Sequence, residues 1–371
     1  MMAEGFLPLP FRRGEGAAEV IAGDRAPLGR LVAGLLVLIL IATILISVAT
    51  GPTGFLPGRA ITLPLARLAG VTDALAARDW LILYEIRLPR AVLGGLIGGV
   101  LAISGCVMQG LFRNPLADPG LVGVSSGAGL AAVAVIVLGD ALFGGLDLPV
   151  GLLLPVGAFV GALGTTLLLY RIATRDGQTS IAMMLLAGIA IAALSGALTG
   201  LLVLASDDRQ LRDVTFWTMG SLGGASWTAV AAMLPFALAT FAILPAIARG
   251  LDAMLLGESE AQHLGFSVQR LKRIAIFAVA ASVGGAVALA GPIGFIGILA
   301  PHLLRLVIGP RHALLLPASG LLGAVLLIGA DTICRTVIAP AELPIGIVTA
   351  LIGAPFFLWL LLGRRSLLAA A

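Results

Sequence analysis

Charge is what this chain has least of. Of its 371 residues, 23 are basic and 19 acidic, 11% in all, where a soluble domain carries about a quarter. Nine stretches hold no Asp, Glu, Lys or Arg: 31–58, 91–112, 119–139, 148–170, 177–206, 214–248, 274–304, 313–330 and 343–363. Together they cover 229 residues, which excludes a soluble enzyme, a disordered chain and a nucleic-acid binder. Lysine is rarer still, with Lys272 alone, between Leu271 and Arg273. A phosphate-cradling loop needs Gly-Lys-Ser/Thr after a glycine-rich turn, so this chain cannot hydrolyse ATP by that route. The two cysteines, Cys106 and Cys334, have no paired spacing and suggest neither a disulfide nor a metal site. The three histidines, His263, His302 and His312, share no helix face at i,i+4 spacing. No Ser/His/Asp arrangement and no pair of catalytic carboxylates is present. The charge-free stretches lack the midplane carboxylates on which an ion-coupled transporter depends.

Abundant apolar sequence predicts an all-α, polytopic membrane protein. A spanning helix needs about 20 apolar residues, and the stretches supply ten: 31–49, 88–110, 121–139, 150–170, 180–204, 228–248, 274–290, 295–308, 313–335 and 343–362. The long stretch 274–304 divides at Gly291-Pro292-Ile293-Gly294. Residues 205–227, polar and then Gly/Ser-rich, form a connecting loop with room for a short helix. Ten is even, so both ends lie on one side, and that side collects 15 of the 23 basic residues. The positive-inside rule places both termini in the cytoplasm. The organisation is then a tail at 1–30, a membrane domain at 31–363 with a charged cytoplasmic segment at 250–273, and a short tail at 364–371. Residues 1–30 mix acids with arginines and read as a tail before an uncleaved anchor. Overlapping GxxxG pairs at Gly94/Gly98 and Gly95/Gly99, with Gly157/Gly161 and Gly196/Gly200, predict close helix packing or a dimer seam.

Several polar residues need explaining. Arg113-Asn114-Pro115-Leu116-Ala117-Asp118-Pro119 cannot be one helix, and reads as a rigid turn or as a gate at the end of a pore. Asp331 and Arg335 lie one helical turn apart with Glu342 close after, as a mutually neutralising pair or a docking surface. Arg87 and Arg90 flank Leu88-Pro89 at the outer start of a span, placed either to reach lipid phosphates or to meet a partner. Leu256–Gly265 reads as a short helix between glycines, with Glu258 and Glu260 at its positive end. Too small to fold alone, it either lies on the membrane surface or enters another protein's groove. Met183 and Met184, beside Thr179-Ser180, read as packing.

These blocks fall in a familiar order: Ile86-Arg87-Leu88-Pro89-Arg90, Ser104-Gly105-Cys106-Val107-Met108-Gln109, and the Arg113–Pro119 segment. Leu256-Gly257-Glu258 with Leu264-Gly265 follows, then Gly294-Phe295-Ile296-Gly297, Pro301-His302, Ala330-Asp331 with Arg335, and Glu342-Leu343-Pro344-Ile345-Gly346. From about residue 80 to 360 the chain resembles the FecCD-type permeases, subunits of type II ABC importers for iron–siderophore, haem and cobalamin. The resemblance implies a homodimer of ten-helix subunits in the bacterial inner membrane, around a central path. Two ATPase subunits, holding the ATP, would attach inside and a periplasmic substrate-binding protein outside, with no cofactor on this chain. By the same resemblance Asn114 and Leu116 match one cytoplasmic gate, and Thr179 with Ser180 a second. Gly257, Glu258, Ala261, Leu264 and Gly265 match the helix that couples to the ATPase. Arg87, Arg90 and Arg335 match positions that meet the binding protein. The stretch from Asp207 to Gly224, with Trp217-Thr218-Met219-Gly220, looks most like haem importers, with the cobalamin permease close to it.

Overall fold

The computed structural model describes residues 25–51, 62, 74–143 and 150–368. Most of the expected tail at 1–30 and the last three residues of the tail at 364–371 lie outside these. Among the described residues the chain is all-α apart from a hairpin of two-residue strands. Helix α1 is Ala26–Ala49; α2 (Ala74–Leu81) runs through a π-helical turn, Ile82–Arg87, into α3 (Leu88–Leu111). Next come α4 (Val124–Phe143), α5 (Val150–Ala173), and strands β1 (Thr174–Arg175) and β2 (Gln178–Thr179). Helices α6 (Ile181–Leu204), α7 (Asp208–Met219), α8 (Trp227–Ala246), α9 (Ala248–Leu256) and α10 (Glu258–His263) follow. The order ends with α11 (Val268–Ala290), α12 (Ile296–Ile308), α13 (His312–Thr336) and α14 (Ile345–Leu368).

Local chemistry sets many of these limits. Pro27 stands in the first turn of α1, where a missing N–H costs nothing, and Pro89 follows directly on the π-helical turn at the start of α3. Ser180 caps α6 by accepting from Met183 N (3.3 Å), and Ser226 caps α8 by accepting from Ala229 N (3.2 Å). Asp207 and Gln210 close a capping box at the start of α7, the short helix for which the 205–227 loop left room. The Gly291–Gly294 break falls where expected, between α11 and α12.

Seven described helices are long and apolar enough to cross a membrane, and three shorter apolar ones coincide with the other expected spans, at Val124–Gly139, Ile296–Ile308 and Ile345–Leu358. The chain is a multi-pass membrane protein. Its centre is α3, packed against α8, α11, α12 and α13. Small residues permit this: a methyl at Gly98 would collide with the Gly323 backbone of α13, and one at Gly105 with the Gly297 backbone of α12. Two of the GxxxG pairings thus serve packing within the chain, since Gly161 meets Gly127 of α4 in the same way. Gly196 and Gly200 differ, with no neighbour within 4 Å of an added methyl. They lie on α6, of which Leu186, Ile189, Leu201 and Leu204 remain exposed on the single chain.

The helices define two ends. At one, α9 packs against the terminal turns of α8, α3, α11 and α13, and Asp252 Oδ1 accepts from both His312 N (2.8 Å) and the His312 ring (2.7 Å). This end also holds Lys272. At the opposite end, Ser221 N donates to Ala290 O (2.8 Å), Ile345 N to Gly220 O (3.1 Å) and Leu343 N to Cys334 O (3.1 Å). Arg90 lies there.

Candidate functional site

The lysine end gathers the two segments expected to act as gates and the segment expected to couple, at Arg113–Pro119, Thr179–Ser180 and Leu256–Gly265. After α3 the chain turns through Arg113, in the left-handed region at φ 50°. Asn114 Oδ1 accepts from Leu116 N (3.0 Å), and Asp118 Oδ1 from Gly120 N (2.8 Å), starting the 3-10 turn Pro119–Val122. Side chains thus satisfy a backbone that the prolines bar from a helix. Asn114 is exposed and Leu116 half-buried. The 3-10 turn packs against α6, the helix that begins after Ser180.

Thr179 and Ser180 end a small hairpin. Thr174 pairs with Thr179, their hydroxyls lie 3.0 Å apart, and Ser180 N donates to Ala173 O (2.9 Å). Thr179 is 4% exposed and Ser180 is exposed. The hairpin is held from α11: Gln269 Oε1 accepts from Thr179 N (2.9 Å), and Lys272 Nζ donates to Thr179 O (2.9 Å).

The expected helix at 256–265 is observed as Glu258–His263, a single turn and a half. Gly257 at φ 136° and Gly265 at φ 87° bound it, conformations open to glycine and strained for other residues. Ala261 is fully buried and seats α10 against α9 and α11. Leu256 (68% exposed), Leu264 (60%) and Leu255 face outward beside Glu260, Gln262 and His263. The outward face is a leucine-edged knob. Glu258 turns inward to Lys272, 2.8 Å away.

At the arginine end the three arginines are buried, at 4% for Arg87, 8% for Arg90 and 5% for Arg335. Arg90 binds Asp331 bidentately through Nε (3.0 Å) and Nη2 (2.8 Å), and Glu342 through Nη1 and Nη2 (both 2.9 Å). Arg335 Nε donates to Asp331 Oδ2 (3.0 Å), and its Nη atoms to Thr50 O (3.1 Å) and Ser47 Oγ (2.9 Å). Arg87 Nη1 donates to Val48 O (2.6 Å). These guanidiniums turn into the bundle rather than out to lipid phosphates, because unfilled carbonyls at the end of α1 and two carboxylates lie within reach. Glu342 alone keeps a partly open side chain, at 39%.

Sequence reasoning did not single out Lys272 or Gln269 as parts of a site. A signal existed: Lys272 falls on the stripe Val268, Leu271, Ala275, Ile276, the buried face of α11. An only lysine on an apolar face calls for a buried partner. The Trp80–Tyr84–Trp227 stack at the other end, with Trp227 Nε1 donating to Tyr84 O (2.9 Å), was likewise invisible because Trp227 lies 143 residues from Tyr84.

Known proteins bear on this geometry. The FecCD transport family model matches residues 35–363. The chain is 47% identical to the hemin transport system permease protein HmuU of Yersinia pestis, over 77% of this chain and 85% of that protein. It is 45% identical to the cobalamin import system permease protein BtuC of Halobacterium salinarum, over 84% of this chain and 81% of that protein. Among solved structures, an inward-facing metal-chelate type ABC transporter aligns with a TM-score of 0.74 at 32% identity, over 88% of this chain and 97% of the other. A bundle with a central α3 and an exposed short helix between glycines, matched along nearly its whole length, belongs to the FecCD transport family.

Proposed function

We propose that the chain is the permease subunit of an ATP-driven importer and forms the path for haem across a bacterial inner membrane. The observation that carries the proposal is the knob at Leu255–Gly265, an outward apolar edge on a segment too short to fold alone. An apolar edge flanked by charge fits a groove of a second protein better than open water. The chain has no phosphate loop, so that protein is read as the ATPase, in two copies. Gly257, Glu258, Ala261, Leu264 and Gly265 form and support the contact. Asn114 and Leu116, with Thr179 and Ser180, gate the path on the same side.

Ten spans put both termini in the cytoplasm and the arginine end outside, where a periplasmic binding protein would dock. Burial of Arg87, Arg90 and Arg335 gives them an indirect part in that docking: they fix the outer ends of α1, α3 and α13, and Glu342 is the member of their ion-pair cluster left open at the rim. A homodimer would cover the open face of α6 around Gly196 and Gly200. Haem is favoured by the identity to the hemin permease and by the Asp207–Gly224 stretch. Cobalamin is the second reading, favoured by the 45% identity to a cobalamin permease; a ferric siderophore would suit the same uncharged conduit.

The test is uptake into proteoliposomes that hold this chain with its ATPase and binding protein. ATP-dependent uptake of haem and not of cyanocobalamin or a ferric siderophore is expected. Uptake of cobalamin without haem would replace the substrate, and hydrolysis by the purified chain alone would overturn the division of labour.

A further inference from the structure

Lys272 is the only side-chain amine in the molecule and is 2% exposed. An ammonium taken out of water is tolerated only with strong acceptors around it. The two present come from different parts of the chain: the Glu258 carboxylate at the start of α10, 2.8 Å away, and the Thr179 carbonyl at the end of the hairpin, 2.9 Å away. We propose that Lys272 is a positioning residue that ties the exposed helix Glu258–His263 to the Thr174–Ser180 hairpin, so that force on the one moves the other. The inference rests on reading the knob as the ATPase contact and Thr179–Ser180 as a gate.

Both backbone groups of Thr179 are gripped from one helix. Gln269 accepts from its N–H and Lys272, three residues on along α11, donates to its C=O. The hairpin cannot slide along α11 without breaking both bonds. Ser180, the next residue, caps α6 and donates its N–H to Ala173 O, so the start of α6 and the end of α5 follow Thr179. At the other acceptor, Glu258 is the first residue of α10 and half-buried, while Ser259 and Glu260 after it are exposed. A tilt of α10 that lifts Glu258 pulls the ammonium with it, since the buried ammonium cannot be left without its carboxylate. The side chain of Thr179 is not needed for this link; its carbonyl is.

The test uses the assembled complex in liposomes, with Gln178→Cys as a maleimide reporter on the exposed strand beside Thr179. Cys106 and Cys334 are buried and leave a low background. With Lys272 in place, labelling rates in nucleotide-free and vanadate-trapped complexes should differ by at least about fivefold, the lower end of ordinary coupling between sites. Lys272→Met should abolish that difference and cut haem uptake per ATP hydrolysed by a similar factor, in complexes that still assemble and hydrolyse ATP. If Lys272→Met does not assemble, Glu258→Gln weakens the helix side of the link and Gln269→Met removes the second hold that keeps Thr179 in reach of Lys272, and each should at least halve the response. An undiminished response in these variants overturns the inference and leaves the gate and docking readings standing. No response with Lys272 in place, in a complex that imports haem, overturns it together with the gate. Failure of the ATPase to bind overturns it together with the docking surface.

Discussion

Arg90 engages all three guanidinium nitrogens with carboxylates on two other segments of the chain. Its removal would leave Asp331, 2% exposed, with Arg335 as its remaining ion-pair partner and Glu342 released. Breaking a buried pair by deleting one member costs about 3–5 kcal/mol, so Arg90→Ala should lower the unfolding temperature of the detergent-solubilised protein sharply. Arg90→Lys should recover little of it, because a single ammonium cannot reproduce the planar fork that meets both carboxylates. An unchanged melting curve for either would remove the network from the fold's support. Only part of this cluster was legible in advance. Asp331 and Arg335 announce themselves by helical spacing, whereas Arg90 meets Asp331 across 241 residues and no local pattern encodes that distance.

Two kinds of glycine separate at the scale of helices. Gly105 of α3 and Gly127 of α4 sit where a methyl would strike the neighbouring backbone, at Gly297 and Gly161. Gly105→Ala should force α3 away from α12 and destabilise by about 1–3 kcal/mol, as overpacked cores do, visible as loss of folded protein on size-exclusion chromatography. Gly196→Leu should leave the monomer intact, since α6 has open space there, and should weaken a homodimer if a second copy packs on that face. Equal dimer content by cross-linking in wild type and variant would assign the face to lipid. The sequence pattern offered GxxxG alike for Gly161, which meets Gly127, and for Gly196, which meets nothing, and could not say which backbone came near. The short helix behaves differently again. Leu264→Glu places a charge on its exposed apolar edge and should reduce co-purification of the ATPase without changing the melting curve. Gly265→Pro removes the N–H that donates to Gln262 O (2.9 Å) and imposes a φ far from the observed 87°. It should abolish ATP-driven uptake while the membrane helices still fold.

Over the whole molecule, the apolar stretches located the long apolar helices, including the break at Gly291–Gly294, because hydrocarbon admits few alternatives to a helix, whereas α2 and its π-helical turn lie outside every expected span. What they left unspecified was tertiary: which helix becomes the centre, how α9 gathers the ends of four others, and that the outer arginines fold inward. The sidedness inferred from basic residues has a direct check. Ser259→Cys at the lysine end and Gly224→Cys at the arginine end are both exposed. A membrane-impermeant maleimide should label the first only in inside-out vesicles and the second only in right-side-out ones; labelling of both from one face would refute the topology. The burial of Lys272 has one more consequence, for the chemist's bench. With that amine shielded and no other on any side chain, acylating reagents and amine-directed cross-linkers find almost nothing to modify on the folded subunit. A mass shift at Lys272 after brief acetylation of intact membranes would therefore timestamp the opening of this one joint, in native material and without a single substitution.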